Sequence, residues 1–191
     1  MNSSRFIFIF LSVLCIGNKY ALAQEFTPEN WIGKYSGTMF LSSGTEGEQQ
    51  EIEVSFDFKE IVKDSSWTYI MTYKSEELGE LTKNYVICKP FGSPIHYFVL
   101  DELDGTKIDL SYRNEAFVSF FEVDGMFHAS SLAKISKNTI RFELYGSFSS
   151  QPTNVTNAEL LDDLGNNTGT VTVASFNPIY CQTVTLKRNR K

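Results

Sequence analysis

The sequence predicts an all-β protein: a single antiparallel up-and-down β-barrel of about eight to ten strands, with one short helix near residues 157–164. Three observations carry that prediction. Apolar residues recur at every second position through most of the chain, the period of a strand with one buried face, and seldom at the three-and-four spacing of a helix. Two Asp-Gly pairs sit between such runs, where tight hairpins need residues that tolerate positive φ. Aromatic residues make up 14% of the chain, with 16 Phe and 9 Tyr, types that suit a pleated, half-buried surface. An apolar content of 42% with 5 prolines and 12 glycines excludes collagen, coiled coil and bulk disorder.

Residues 1–23 read as a secretory signal. Arg5 opens it, Phe6 to Gly17 form a short apolar run, and Ala21-Leu22-Ala23 supplies a small-x-small cleavage site before Gln24. That run is too short for a transmembrane helix, and Cys15 lies inside it without the small residues of a lipidation site, so no membrane anchor is expected. Cleavage removes two basic residues, so the formal charge moves from −6 to −8, and the domain is expected to span residues 24–191. It also removes Cys15 and leaves Cys88 and Cys181, which in an oxidising compartment either pair or remain buried thiols. The basic residues are scattered apart from the KRNRK terminus, so no nucleic-acid partner is expected.

Within the domain, Ile52, Val54, Phe56 and Phe58 alternate with polar residues, and Trp67, Tyr69, Met71 and Tyr73 repeat the pattern. Asp104-Gly105 joins the run 95–103 to 106–112, and Asp124-Gly125 joins 116–123 to 126–135. Ser136-Lys137-Asn138 reads as a further turn before Ile140, Phe142 and Leu144. Thr156 and Asn157 as caps, Leu160, Leu161 and Leu164 at helical spacing, and Gly165 as a stop predict the short helix. The Thr- and Val-rich runs 170–175 and 183–186 return to strand.

A long meander with one apolar face closes on itself or stacks against a second sheet. The expected inner positions are Phe56, Phe58, Trp67, Tyr69, Met71, Tyr73, Tyr97, Tyr112, Phe117, Phe121 and Phe142. Such rings either meet and fill the core or wall a cavity for a flat or long apolar ligand. Alternation alone leaves both open.

Trp31-Ile32-Gly33-Lys34-Tyr35 before the first strand, Thr82-Lys83-Asn84-Tyr85, and the order of meander, helix, last strand and late cysteine resemble the lipocalins and their calycin relatives. In this chain the Gly follows the Trp, and the Thr-to-Tyr element has one extra residue. The resemblance implies a secreted barrel that carries a small hydrophobic molecule, with a strand-to-tail disulfide between Cys88 and Cys181. It would also give Arg141 the part of an arginine packed over the tryptophan, although alternation turns Arg141 to solvent.

Catalytic chemistry finds little purchase. His96 and His128 stand alone, without partners at metal-ligand spacing, and there is neither a Gly-x-Ser-x-Gly elbow nor a Cys-x-x-Cys pair. Asp101, Glu102 and Asp104 lack the spacing of a calcium loop and read as turn acids. Gly44-Thr45-Glu46-Gly47-Glu48 reads as a polar loop, placed to act as a lid in a barrel. Asn154-Val155-Thr156 and Asn166-Asn167-Thr168 fit the glycosylation sequon. The expectation is a non-enzymatic secreted protein without cofactor that binds a small hydrophobic or amphipathic molecule. The alternative is a structural or protein-interaction β-domain with a filled core.

Overall fold

The computed structural model describes residues 25–43, 48–76 and 79–190. The expected signal, residues 1–23, and most of the expected lid loop, residues 44–47, lie outside the described residues.

A 3-10 turn at Pro28–Asn30 leads into β1 (Gly33–Ser43), followed by β2 (Glu48–Phe58), a short β3 (Glu60–Val62), β4 (Ser66–Ser75) and β5 (Gly79–Cys88). Next come β6 (Tyr97–Asp101), β7 (Lys107–Arg113), β8 (Ala116–Val123), β9 (Met126–Ser136) and β10 (Thr139–Phe148). The chain finishes with β11 (Asn154–Leu161), β12 (Asn167–Ser175) and β13 (Tyr180–Arg188). All pairings are antiparallel, in the order β2-β1-β13-β10-β9-β8-β7-β6-β5-β4-β3, and β2 also pairs with β4. That last pairing closes ten strands into a barrel and leaves β3 as a flap on β4. Closure pairs the strands that would end a flat sheet, β2 and β4, with each other, and the wall stays unpaired mainly where β5 runs on beyond β6.

The period-two reading holds where it was clearest. Val54, Phe56 and Phe58 on β2, and Trp67, Tyr69 and Met71 on β4, are buried, while their neighbours turn outward. The Asp124-Gly125 hairpin forms as expected, both residues taking positive φ (49° and 75°).

Residues 157–164 form no helix. Asn154–Leu161 is β11, paired with β12 from Asn154↔Ser175 to Leu161↔Asn167 in a separate two-stranded sheet. The β-branched partners Val171, Thr172 and Val173 reward an extended conformation opposite them, as a lone helix of two turns would not be rewarded. Gly165 takes its positive φ of 83° in the hairpin turn, where the Asp162 carboxylate accepts hydrogen bonds from the backbone N–H groups of Leu164 and Asn166. The supposed helix stop is therefore a hairpin turn.

The expected disulfide is also absent, and Cys88 and Cys181 are free thiols. Cys88 follows the buried Ile87, and Cys181 precedes Gln182, which faces the interior, so both thiols point out of the barrel. They stand on β5 and β13, with β4, β2 and β1 between them around the wall. Burial raises the pKa of each, which makes both poor nucleophiles.

Candidate ligand cavity

The barrel is filled at one end and open at the other. At the filled end Phe26, from the segment before β1, inserts among Trp67, Phe98, Tyr112 and Phe117 with centroid distances of 5.1 to 5.4 Å and steep interplanar angles. Trp31 and Phe58 complete the cluster. Edge-to-face contacts of this kind add about 0.5–1.5 kcal/mol per pair beyond area burial.

Beneath the rings lies a cationic clasp. The Tyr35 hydroxyl donates to the carbonyl of Trp31 (2.8 Å) and accepts from Lys134 Nζ (3.1 Å) and Arg188 Nη2 (2.7 Å). Lys134 Nζ also stands over the Trp31 and Tyr35 rings, and Arg188 over Tyr35. Burial, and then the Arg188 charge, pull the pKa of Lys134 down to about 8. Arg141 has no part in this clasp, since it is exposed and paired with Glu143.

Above the ring cluster the interior empties into a cavity of about 580 Å³. Its cause is a change in side-chain size along the strands. On β8 the inward positions run Phe117, Ser119, Phe121, and the opposing β9 runs Leu132, Ser130, His128. The two serines, whose hydroxyls lie 2.6 Å apart, occupy the level where rings would otherwise meet. Met39 and Leu41 from β1, and Leu100 and Ile108 from β6 and β7, add aliphatic wall. Tyr69, Tyr73 and Tyr85 bring hydroxyls to it, and Tyr69 stacks on Tyr85 at 6.2 Å. Burial raises all three phenol pKa values, that of Tyr85 to about 12 with Glu102 as the second cause.

The rim has two characters. On one side Phe121 stacks on His128 (4.8 Å, 14°), and His128 Nδ1 bonds the Tyr180 hydroxyl. Tyr180 lies flat over Gly146, where a Cβ would collide with its ring. Burial lowers the pKa of His128, favouring the neutral imidazole. On the other side β5 pairs with β6 only from Val86 to Cys88, although it pairs with β4 along its full length. The first half of β5 therefore has no ladder partner on that edge, and there the cavity is lined by Leu81, Lys83 and Glu102.

Of the residues singled out in the sequence, Tyr69, Met71, Tyr73, Phe121 and Phe142 line the cavity. Phe56, Phe58, Trp67, Tyr112 and Phe117 instead pack in the filled part of the core. Tyr97 is on the outside, its hydroxyl bonded to Asp109 at 2.7 Å, while Phe98 points inward. Both parities of that run are apolar, so alternation does not select a face, and the pairing Phe98↔Leu110 does. Sequence reasoning overlooked Phe26, which lies outside any strand, and the serine pair, whose only signal is its small size. Among the described residues no group of three His, Cys, Asp or Glu side chains is placed to hold a metal ion.

No protein-family model matches the sequence, and none of the curated proteins matches it. Solved structures do. An S-type phycobiliprotein lyase from Guillardia theta superimposes with a TM-score of 0.58 at 8% identity, covering 86% of this chain and 91% of that one. A protein of unknown function from the DUF3598 family of Nostoc punctiforme gives a TM-score of 0.55 at 8% identity. That match covers 91% of this chain and 53% of the other. At such identities the likeness concerns the fold alone, a closed antiparallel β-barrel.

Proposed function

We propose that the protein is a secreted carrier that holds one small apolar or amphipathic molecule in the upper barrel without changing it chemically. The observation that carries this reading is the serine level between two levels of rings, which leaves about 580 Å³ open inside an otherwise close-packed core. That volume falls in the range of small-molecule sites, and its wall of aliphatic groups and three phenols matches their composition. Charged lining groups, Glu80, Lys83 and Glu102, gather on the β5 side, so a ligand's polar end would rest there and its apolar part on Met71 and Phe142. Secretion is supported by the Arg5 start, the apolar run and the Ala21-Leu22-Ala23 site, and sequencing of protein recovered from the medium should begin at Gln24.

Titration with cis-parinaric acid, followed by its own fluorescence, should show saturable one-to-one binding. Retinoid and tetrapyrrole probes extend the panel. Ser119→Leu fills the empty level and should weaken binding at least tenfold with melting temperature maintained. Absence of saturable binding across the panel, or undiminished binding in the filled variant, would overturn the reading.

A further inference from the structure

The protein is acidic overall, with a formal charge of −6, yet one depression on its surface is basic. It lies outside the filled end of the barrel, encloses about 940 Å³, and is lined by Lys34, Lys59, Lys187, Arg188 and Arg190 with a single carboxylate, Asp57. We propose that this depression is a binding site for a small multivalent oxyanion carrying phosphate or sulfate groups, separate from the apolar cavity.

The fold, and not a loose basic tail, assembles these charges. Lys187 sits on β13 opposite Ser36 of β1 on one side and Thr139 of β10 on the other. Beyond it the chain remains anchored, since the N–H of Arg188 donates to the carbonyl of Asn138 and that of Asn189 to the carbonyl of Lys34, both at 2.8 Å. Asn189 is further held by the Ser36 hydroxyl, which donates to its Oδ1 and leaves the amide nitrogen as a donor. Arg188 is fixed by its bonds to Tyr35 and to the carbonyl of Asn30. The basic terminus of the sequence is thus folded back beside Lys34 and Lys59, more than 120 residues away.

Neutralisation is incomplete. Asp57 bonds Lys59 at 2.8 Å and reaches Lys34 at 3.8 Å. Among the described residues no carboxylate lies within ion-pairing distance of Lys187 or Arg190. A concave surface lined by one sign of charge focuses its field and concentrates counter-ions. Guanidinium and ammonium groups around one hollow suit tetrahedral oxyanions, which accept several charge-assisted hydrogen bonds at once. The hollow is wide enough to take more than one such group, hence a multivalent ligand.

Isothermal titration of the mature protein with sodium pyrophosphate, ionic strength held constant with sodium chloride, should give saturable binding. The double variant Lys187→Glu, Arg190→Glu should raise the dissociation constant at least tenfold. Its melting temperature without anion, and its binding of cis-parinaric acid, should be unchanged. Co-sedimentation with phosphatidylcholine vesicles carrying a phosphatidylinositol phosphate, set against vesicles carrying phosphatidylserine at equal surface charge, identifies the source of the oxyanion. Capture by the first alone assigns a lipid headgroup, and pyrophosphate binding without capture assigns a soluble ligand. No heat beyond the chloride control, equal binding by the double variant, or equal capture by both vesicles overturns the proposal.

Discussion

Gly37 shows how a single residue fixes a strand contact. It stands in the middle of β1, where an added Cβ would collide with the backbone carbonyl of Thr185 on β13. Its φ is not in the left-handed region, so the requirement is for space and not for conformational freedom. Backbone cannot yield as a flexible side chain does, so Gly37→Ala should destabilise by about 1–3 kcal/mol, read as a lower urea midpoint with unchanged slope. Gly146 makes a similar demand under the Tyr180 ring, and its loss would disturb the rim that Tyr180 and His128 form. Neither demand is legible in the sequence, where both appear as glycines inside strand-like runs, because the partner that sets each one is a residue more than 30 positions away. The inward rings of β2 and β4 were legible, since two-residue alternation of large apolar and polar groups leaves only one face to bury.

Among the elements, the hairpin of β11 and β12 stands apart. It pairs with itself and makes no ladder with the barrel, and almost all of its residues are exposed. One face carries Ala158, Leu160, Val171 and Val173, while the other is largely polar, with Thr172 bonded to Asn157. Both sequons lie here, Asn154 at its base and Asn166 in its turn. Its base is closed by Thr153 N–H donating to the carbonyl of Ser175, so replacing residues 154–174 with an Asn-Gly turn should preserve the barrel. The expected change in melting temperature is within about 3 °C, with binding of cis-parinaric acid retained. A larger loss would mean that the hairpin packs on the barrel. The helical reading of this segment failed because leucines at 160, 161 and 164 fit a helix and a hairpin end alike. The decision rests on the partner strand, which local periodicity does not see.

For the whole molecule, Lys134 at the filled end and the phenols of the cavity titrate in opposite directions. Below about pH 8 Lys134 carries its proton in both folded and unfolded chains, and the cost of burying that charge is fully present. Between about 8 and its ordinary value of 10.5 the folded side chain sheds the proton first, so stability rises with pH. The phenols of Tyr69, Tyr73 and Tyr85 act the other way: unfolded, they ionise near 10.0, but folded they hold their protons, so stability falls above that pH. Because the two raised cysteine thiols lower stability only above their ordinary value of 9.0, urea unfolding at pH 7, 9 and 11 should show the gain and then the loss. Lys134→Met should abolish the gain and keep the loss. By itself the sequence determined the strand class, the antiparallel meander and the aromatic inner face, because these follow from periodicity and turn chemistry within a few residues. Only the tertiary structure decided that the barrel closes through β2 and β4, that Phe26 plugs one end, and that Cys88 and Cys181 face outward on separate strands. It also decided that the rings both meet and leave room, at different heights. The reason is that side-chain volume at each level is summed around ten strands, and no stretch of sequence contains that sum.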